Sequence, residues 1–320
     1  MSTIPAAMAD PARADSFLEH RPMLAALAYR LLGSVHDADD VVQDAYLRWA
    51  AVDQDTITNR AAYLTTVTTR LALDRLRSAR TRREVYTGPW LPEPLPTAHP
   101  GAAAPTDPAE AAALRDSASI GMLVLMEQLN PVERAVFVLR EAFGLPYEEI
   151  AAIVERTPVH CRQVHHRAAR HVSDARPAGR GPTRPADPRK SRALLDRFLA
   201  AAQGGDMDGL KAMLRDDVVY TTDGGGQVRA ALRPILGAQK TSRVLCSVFA
   251  TRHAGAVVTR TEYNHSPALR LTGPDRAVAY VFETDSDGQV EYIYGILNPE
   301  KVPPPDAGDP RTITPRPARP

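Results

Sequence analysis

The sequence predicts a multidomain chain in which two all-α blocks, the second carrying a helix-turn-helix, precede an α+β block. Three observations lead there. The 28 prolines gather in three stretches instead of spreading evenly. Between those stretches the first two blocks repeat apolar residues at helical spacing. The last block turns to short β-rich runs separated by turn residues. At 320 residues the chain has room for two or three domains, each with its own core.

Composition narrows the class. A hydrophobic fraction of 44% with 24% charged residues is that of a globular protein. The net charge of +1 conceals opposed blocks, acidic over 37–44 and basic over 75–83 and 162–192. Two cysteines, Cys161 and Cys246, supply neither a disulfide framework nor metal-ligand spacing. No apolar run approaches the roughly 18 residues of a membrane span, and the N-terminus has no signal-like segment. The expectation is a soluble cytoplasmic protein with no metal, cofactor or membrane partner. No internal repeat is visible.

The proline-rich stretch 87–111 reads as a linker, because proline fixes φ and removes a donor. A Pro/Gly/Arg-rich second linker covers 175–190, and a disordered tail covers 303–320. Ordered blocks remain at 12–86, 112–174 and 191–302.

In the first block, "RPMLAALAYRLLG" is a helix stopped by Gly33. "SVHDADDVVQDAYLRWA" follows with Ser34 and Asp37 at capping-box spacing. Asp37, Asp40, Asp44 and Arg48 share one of its faces, and Val41, Ala45 and Trp49 the other. Asn59 caps a long third helix whose core stripe is Leu64, Val67 and Leu71 and whose second half is rich in arginine. The second block has a helix stopped by Gly144, a short helix "PYEEIAAIV", and a break at 155–157 without glycine. Thr157 then caps "PVHCRQVHHRAARHV", with Pro158 at its first position. Cys161, Val164, Ala168 and Val172 form its buried stripe, opposite Gln163, His166, Arg167 and Arg170. A short helix, a tight turn and a basic second helix are the parts of a helix-turn-helix.

The third block opens with helices "SRALLDRFLAAAQ" and "MDGLKAMLRD". Strands are expected at "VVYTTD", "RVLCSVFATR", "AVVTRTEYN", "AVAYVFETD" and "QVEYIYGIL", with Asp287-Gly288 as a hairpin turn. Helices before a meandering sheet imply α+β.

Each charged feature has two readings. The acidic run over 37–44 is a solvated helix face or a docking surface for a basic partner. Arg75, Arg77, Arg80, Arg82 and Arg83 have few acids to offset them and favour a polyanion contact. The helix from His160 to Arg170 is a basic surface helix or a major-groove reader. Its adjacent histidines His165 and His166 point apart, against a metal site. "DGGG" (Asp223, Gly224, Gly225, Gly226) matches neither a phosphate loop nor a dinucleotide fingerprint. It reads as a bend in a curved sheet or as a place of close backbone approach.

"GSVHDADDVVQDAYLRWA", "YLTTVTTRLALDRLRSAR" and "LNPVERAVFVLREAFGLPYEEIAAIVERTPVHCRQVHHRAARHV" together resemble the two-domain sigma factors of the extracytoplasmic-function type. With "WLPEPL", "DGGG" and "NPEK" the resemblance extends to about residue 302. It covers the SigJ-like subgroup, whose C-terminal domain is an α+β NTF2/SnoaL-like cone. Glu300 and Val302 stand where that family commonly has aspartate and leucine, and Ala169 where arginine is common.

The resemblance implies a sigma2 helical domain, a sigma4 helix-turn-helix and two partners, core RNA polymerase and promoter DNA. Asp37, Asp40, Gln43 and Asp44 would dock on the polymerase. Asn59, Arg60, Tyr63, Arg70 and Arg77 would engage the −10 element, and His160, Arg162, Gln163, His166, Arg167 and Arg170 the −35 element. The third domain would regulate in cis, through intramolecular contact of Asp223, Gly224, Gly225, Gly226, Asn298, Pro299, Glu300 and Lys301 with the sigma domains or the linker. The alternative is a cone that senses an unknown small ligand, or one that works as a cyclase- or isomerase-type enzyme. Asp223, His253, Glu262 and His265 are then the acid–base candidates. In the leading reading the chain is not an enzyme.

Overall fold

Gly33 and Ser34 set the first corner of the chain. Gly33 stands at φ 67° and donates its N–H to the Tyr29 carbonyl at 2.7 Å, closing α1 (Pro11–Leu32). Ser34 accepts the Asp37 N–H at 3.1 Å and opens α2 (Val35–Ala51). The computed structural model describes residues 11–53, 56–84, 86–97, 118–175, 187–302 and 312–313, which form two units. One comprises the described residues of 11–84 and 125–175, and the other those of 86–97, 118–124, 187–302 and 312–313.

In the first unit α2 buries Ala38, Val41, Val42, Ala45 and Trp49, as its periodicity requires. Asn59 Oδ1 takes the Ala62 N–H at 3.0 Å and starts α3 (Arg60–Glu84). Its buried stripe runs Leu64, Thr68, Ala72 and Leu76, while the expected Val67 and Leu71 are only half-buried. A four-residue step puts Thr68 and Ala72 where the expectation placed Val67 and Leu71.

The short α4 (Ile120–Met126) was not foreseen; its first five residues belong to the second unit and its last two to the first. Asn130 and Glu133 form a full capping box at the start of α5 (Pro131–Glu141). α6 (Tyr147–Val154) and α7 (Pro158–Ala175) follow. The turn between them has no glycine because Glu155 itself takes the left-handed conformation, at φ 56°. Arg156 then donates its N–H back to the Ala151 carbonyl at 3.0 Å. Thr157 Oγ1 caps α7 through the His160 N–H at 3.2 Å, and Cys161, Val164, Ala168 and Val172 are buried.

Two arginines tie these helices together. Arg134, 2% exposed, pairs with Glu127 and donates to the Arg30 carbonyl at 3.3 Å. Arg70 donates to the carbonyls of Ile153 (3.1 Å) and Ala152 (3.0 Å) at the end of α6 and pairs with Glu155.

In the second unit α8 (Pro188–Gly204), α9 (Met207–Met213) and α10 (Ala238–Thr251) pack on a sheet. Its strands are β1 (Leu214–Asp223), β2 (Ile235–Leu236), β3 (Val257–Tyr263), β4 (Ser266–Thr272), β5 (Ala277–Thr284), β6 (Val290–Ile296) and β7 (Thr312–Ile313). The order is β2-β1-β6-β5-β4-β3-β7, with β1 and β6 parallel and the other pairs antiparallel. Helices on one face of a mixed sheet make this an α+β unit.

Five expectations change. Residues 243–252, read as a strand, lie in α10 up to Thr251, because Ala238, Thr241, Ser242, Leu245 and Phe249 recur at helical spacing on its buried face. β4 was not foreseen, and β1 begins at Leu214, inside the segment read as helix. Residues 87–97, read as linker, pack as part of the second unit, as do Tyr86, read as the end of the first block, and residues 118–124, read as part of the second block. Thr312 and Ile313, within the expected tail, pair with β3. The remainder of that tail and of both linkers, and Gln54 and Asp55, lie outside the described residues.

Both faces of this sheet are covered. In β5, Val278, Tyr280 and Phe282 join the core beneath α8, α9 and α10, while Ala277, Ala279 and Val281 point the other way. That second face, with Ala268 and Ile296, is closed by Leu91, Ile120 and Val302.

Candidate functional site

The acidic face of α2 is partly occupied. Arg75 on α3 pairs with both Asp37 and Asp40, which holds its guanidinium above the usual arginine range, while Gln43 and Asp44 are exposed. At the start of α3, Asn59 caps the helix and Arg60 donates to Ser16 Oγ at 3.2 Å. Tyr63 is half-buried with its ring 6.0 Å from that of Trp49. Arg70 is engaged at the end of α6, and Arg77 is exposed and pairs with Asp74 at 2.9 Å. The side chains of Arg80, Arg82 and Arg83 lie outside the described residues.

On α7, Arg162, Gln163, His166, Arg167 and Arg170 are exposed, opposite the buried stripe, and His160 is half-buried. Arg162 lies over the Tyr147 ring at 5.1 Å, and Arg170 reaches His166 at 3.3 Å. His165 belongs to the scaffold: it meets Glu141 at 2.8 Å and the Tyr147 hydroxyl at 3.1 Å. Its hydrogen bond keeps the Glu141 carboxyl below the ordinary carboxylate range. Such a row of donors on one helix face suits base edges and phosphates. Among the described residues, no group of three His, Cys, Asp or Glu could hold a metal ion.

The second unit contains a buried polar cluster around the glycine turn. Asp223, at 0% exposure, ends β1. One carboxylate oxygen accepts the Tyr86 hydroxyl (2.6 Å) and the Gly225 N–H (2.9 Å). The other accepts the Leu91 N–H (2.9 Å) and Lys301 Nζ (2.7 Å). Lys301 also donates to the Leu91 carbonyl at 2.7 Å and sits 4.1 Å from the centre of the Trp90 ring. Asn298 Nδ2 donates to the Tyr86 oxygen at 3.1 Å. Burial, and next the hydrogen bond to Asp223, push the Tyr86 hydroxyl well above its usual range.

The glycines are there for close approach. A Cβ on Gly225, at φ 62°, would stand 2.4 Å from Asn298 Nδ2, and one on Gly224 would stand 2.1 Å from the Val228 carbonyl oxygen. Gly226 lies beside Thr87. Pro299 is half-buried, and exposed Glu300 accepts from Gln227 at 2.7 Å.

Two further anchors escaped the sequence. Asn264, in the left-handed region at φ 53°, accepts the Leu95 N–H at 2.9 Å and donates to the Ala118 carbonyl at 2.7 Å. Glu283, 7% exposed, accepts the Gly121 N–H at 2.9 Å. The Asn-His pair at a hairpin tip hinted at the first, since asparagine tolerates that conformation. Nothing local marked the second.

The acid–base candidates are not gathered. Of Asp223, His253, Glu262 and His265, only His253 lines the cavity of this unit. Asp223 is in the polar cluster. Glu262 and His265, at the β3–β4 hairpin, bond to Thr97 through their backbones.

Comparison with known proteins agrees with this architecture. The family model for Sigma-70 region 2 matches residues 17–82, and that for Sigma-70 region 4 matches residues 121–172. The chain is 36% identical over 290 residues to the ECF RNA polymerase sigma factor SigJ of Mycobacterium tuberculosis (strain ATCC 25618 / H37Rv), covering 88% of this chain and 90% of that one. It is 31% identical over 298 residues to the probable ECF RNA polymerase sigma factor SigI of Mycobacterium tuberculosis (strain CDC 1551 / Oshkosh), covering 92% and 96%. The crystal structure of the Mycobacterium tuberculosis extracytoplasmic function sigma factor SigJ superposes with a TM-score of 0.69 at 30% identity, over 90% of this chain and 97% of that one. The chain therefore belongs to the extracytoplasmic-function family of RNA polymerase sigma factors.

Proposed function

We propose that this sigma factor binds core RNA polymerase, directs promoter-specific initiation, and is regulated in cis by its SnoaL-like unit. Asp37, Asp40, Gln43 and Asp44 dock on the polymerase, where complementary charge sets orientation and on-rate. Asn59, Arg60, Tyr63, Arg70 and Arg77 engage the melted −10 element through hydrogen bonds and stacking. The exposed donors of α7 read the −35 major groove, with His160 at its edge. The unit that regulates does no chemistry in this reading.

One observation carries the regulatory part: the buried carboxylate of Asp223 holds Tyr86 and Leu91, residues between the two matched sigma regions. Asn264 holds Leu95 and Ala118 of the same connector, and Glu283 holds Gly121, where the matched region 4 begins. Both ends of the connector are thus fastened to the SnoaL-like unit. The tether keeps the effective concentration of such contacts high. Asp223, Gly224, Gly225, Gly226, Asn298, Pro299, Glu300 and Lys301 form the regulatory contact.

Run-off transcription with purified core polymerase on a genomic promoter library tests this, comparing the full chain with its Asp223→Ala variant. Promoter-specific transcripts whose amount changes in the variant are expected. Equal amounts would remove cis control, and no specific transcript from either would remove promoter reading.

A further inference from the structure

The second unit contains a cavity of about 820 Å³, within the size range of small-molecule sites. Its wall is largely aliphatic: Val228, Val244, Val248, Leu271, Val278 and Leu297. Tyr220 and His253 line it, and the buried Tyr280 stands behind them. The Tyr280 hydroxyl meets His253 Nε2 at 2.7 Å, and its ring lies 6.4 Å from that of Tyr220. Burial, then the charges of Arg252 and Arg276, hold the His253 imidazole down at about 4, so it is neutral near pH 7.

The Tyr280 hydroxyl and the neutral imidazole carry two protons for one internal hydrogen bond. Whichever way that pair is oriented, one member offers a spare donor and the other a spare acceptor. The lining also includes Arg229, Arg252 and Arg276 against a single acid, Asp275, so this wall is cationic. Gly295 makes room for Tyr220, since a Cβ there would meet its ring at 3.2 Å.

We propose that this cavity binds a small lipophilic carboxylate, its hydrocarbon body against the aliphatic wall and its carboxylate at Arg252 and Arg276. The spare donor of the tyrosine–histidine pair serves a second oxygen of the guest. Arg252 and Arg276 are exposed at the rim, so a neutral apolar guest would forgo their charge-assisted hydrogen bonds, and a strongly polar one would waste the aliphatic wall. The binding stands whether or not the domain controls the sigma regions.

The test is calorimetric titration of the full-length protein with decanoate and naphthalene-2-carboxylate, each beside its alcohol, decanol and 2-naphthalenemethanol. At least one acid is expected to bind tenfold or more tighter than its alcohol. Arg252→Ala with Arg276→Ala should abolish that preference while leaving alcohol binding within about threefold, and Val248→Trp should abolish both. Circular dichroism checks that the variants fold. The proposal is overturned if neither acid binds, if acid and alcohol bind alike, or if the arginine variant keeps the preference. Binding that survives Val248→Trp would place the guest outside the cavity and overturn it equally.

Discussion

Replacing Asp223 by alanine removes an acceptor that four donors share: Tyr86, Gly225, Leu91 and Lys301. Gly225 and Tyr86 are partly exposed, and water can reach them. Leu91 and Lys301 are buried, so the Leu91 N–H and the ammonium are left short of a partner. Breaking a buried charge pair from one side costs about 3–5 kcal/mol, most of it the stranded partner. For a unit of this size that is a fall of roughly 6–20 °C in melting temperature. Should the connector detach before the cone unfolds, amide exchange at Leu91 accelerates instead, by on the order of 10²-fold or more. Hydrogen exchange read over residues 86–97 separates the two. Adding Lys301→Met removes the stranded ammonium and should restore about 1–3 kcal/mol. An Asp223→Ala chain that melts like its parent with Leu91 still protected would refute this account of the cluster.

Gly225→Ala sets a Cβ against Asn298 in a left-handed backbone, so we expect a loss of about 2–4 kcal/mol in urea unfolding; a neutral outcome would mean that the turn re-forms without cost. His253, held at about 4 in the folded chain against an ordinary value of 6.5, resists protonation when folded. Its contribution to stability is therefore complete above about pH 6.5 and declines as pH falls toward 4. With its partial exposure discounted, this comes to about 1–2 kcal/mol at pH 5. His253→Phe should flatten that slope, and an unchanged slope would assign it to other groups. Gln163→Ala and Arg167→Ala should each weaken discrimination at the −35 element by about 1–3 kcal/mol in competition binding of promoter variants. A uniform loss across sequences would mark them as phosphate contacts.

What the sequence made legible was local. Ser34, Asn59 and Thr157 each cap the helix expected, because a cap needs only a side chain and the next turn of backbone. The stripe Cys161, Val164, Ala168 and Val172 is buried as its spacing demands, which leaves the expected basic face outward. α10 was misread because the first half of its buried face is Thr241 and Ser242, so only its β-branched half looked patterned. Ser242 is accommodated there by donating to the Ala238 carbonyl at 2.6 Å. Asp223 was legible as a special position, but its partners Tyr86 and Leu91 are 137 and 132 residues away, beyond any periodicity. A usable signal did exist in "AVAYVF": a continuous apolar run in an antiparallel strand requires both faces covered. The helices cover one, and the connector's Leu91 and Ile120 help to cover the other.

That second face sets a limit on how regulation can work. Exposing Leu91 and Ile120 costs about 1.5–3 kcal/mol each, and opening the Asp223 cluster about 3–5 more. Full release of the connector therefore demands about 6–11 kcal/mol. A ligand in the cone couples to a second site by typically 1–3 kcal/mol. The lipophilic acid inferred above is thus too weak to free the connector alone. It can bias the outcome only when another event, such as docking on core polymerase, provides most of the free energy. Exchange over residues 86–97 should accordingly stay slow in the acid-bound chain and quicken only with polymerase present. Fast exchange with the acid alone would show that the connector is held far less tightly than its buried contacts indicate.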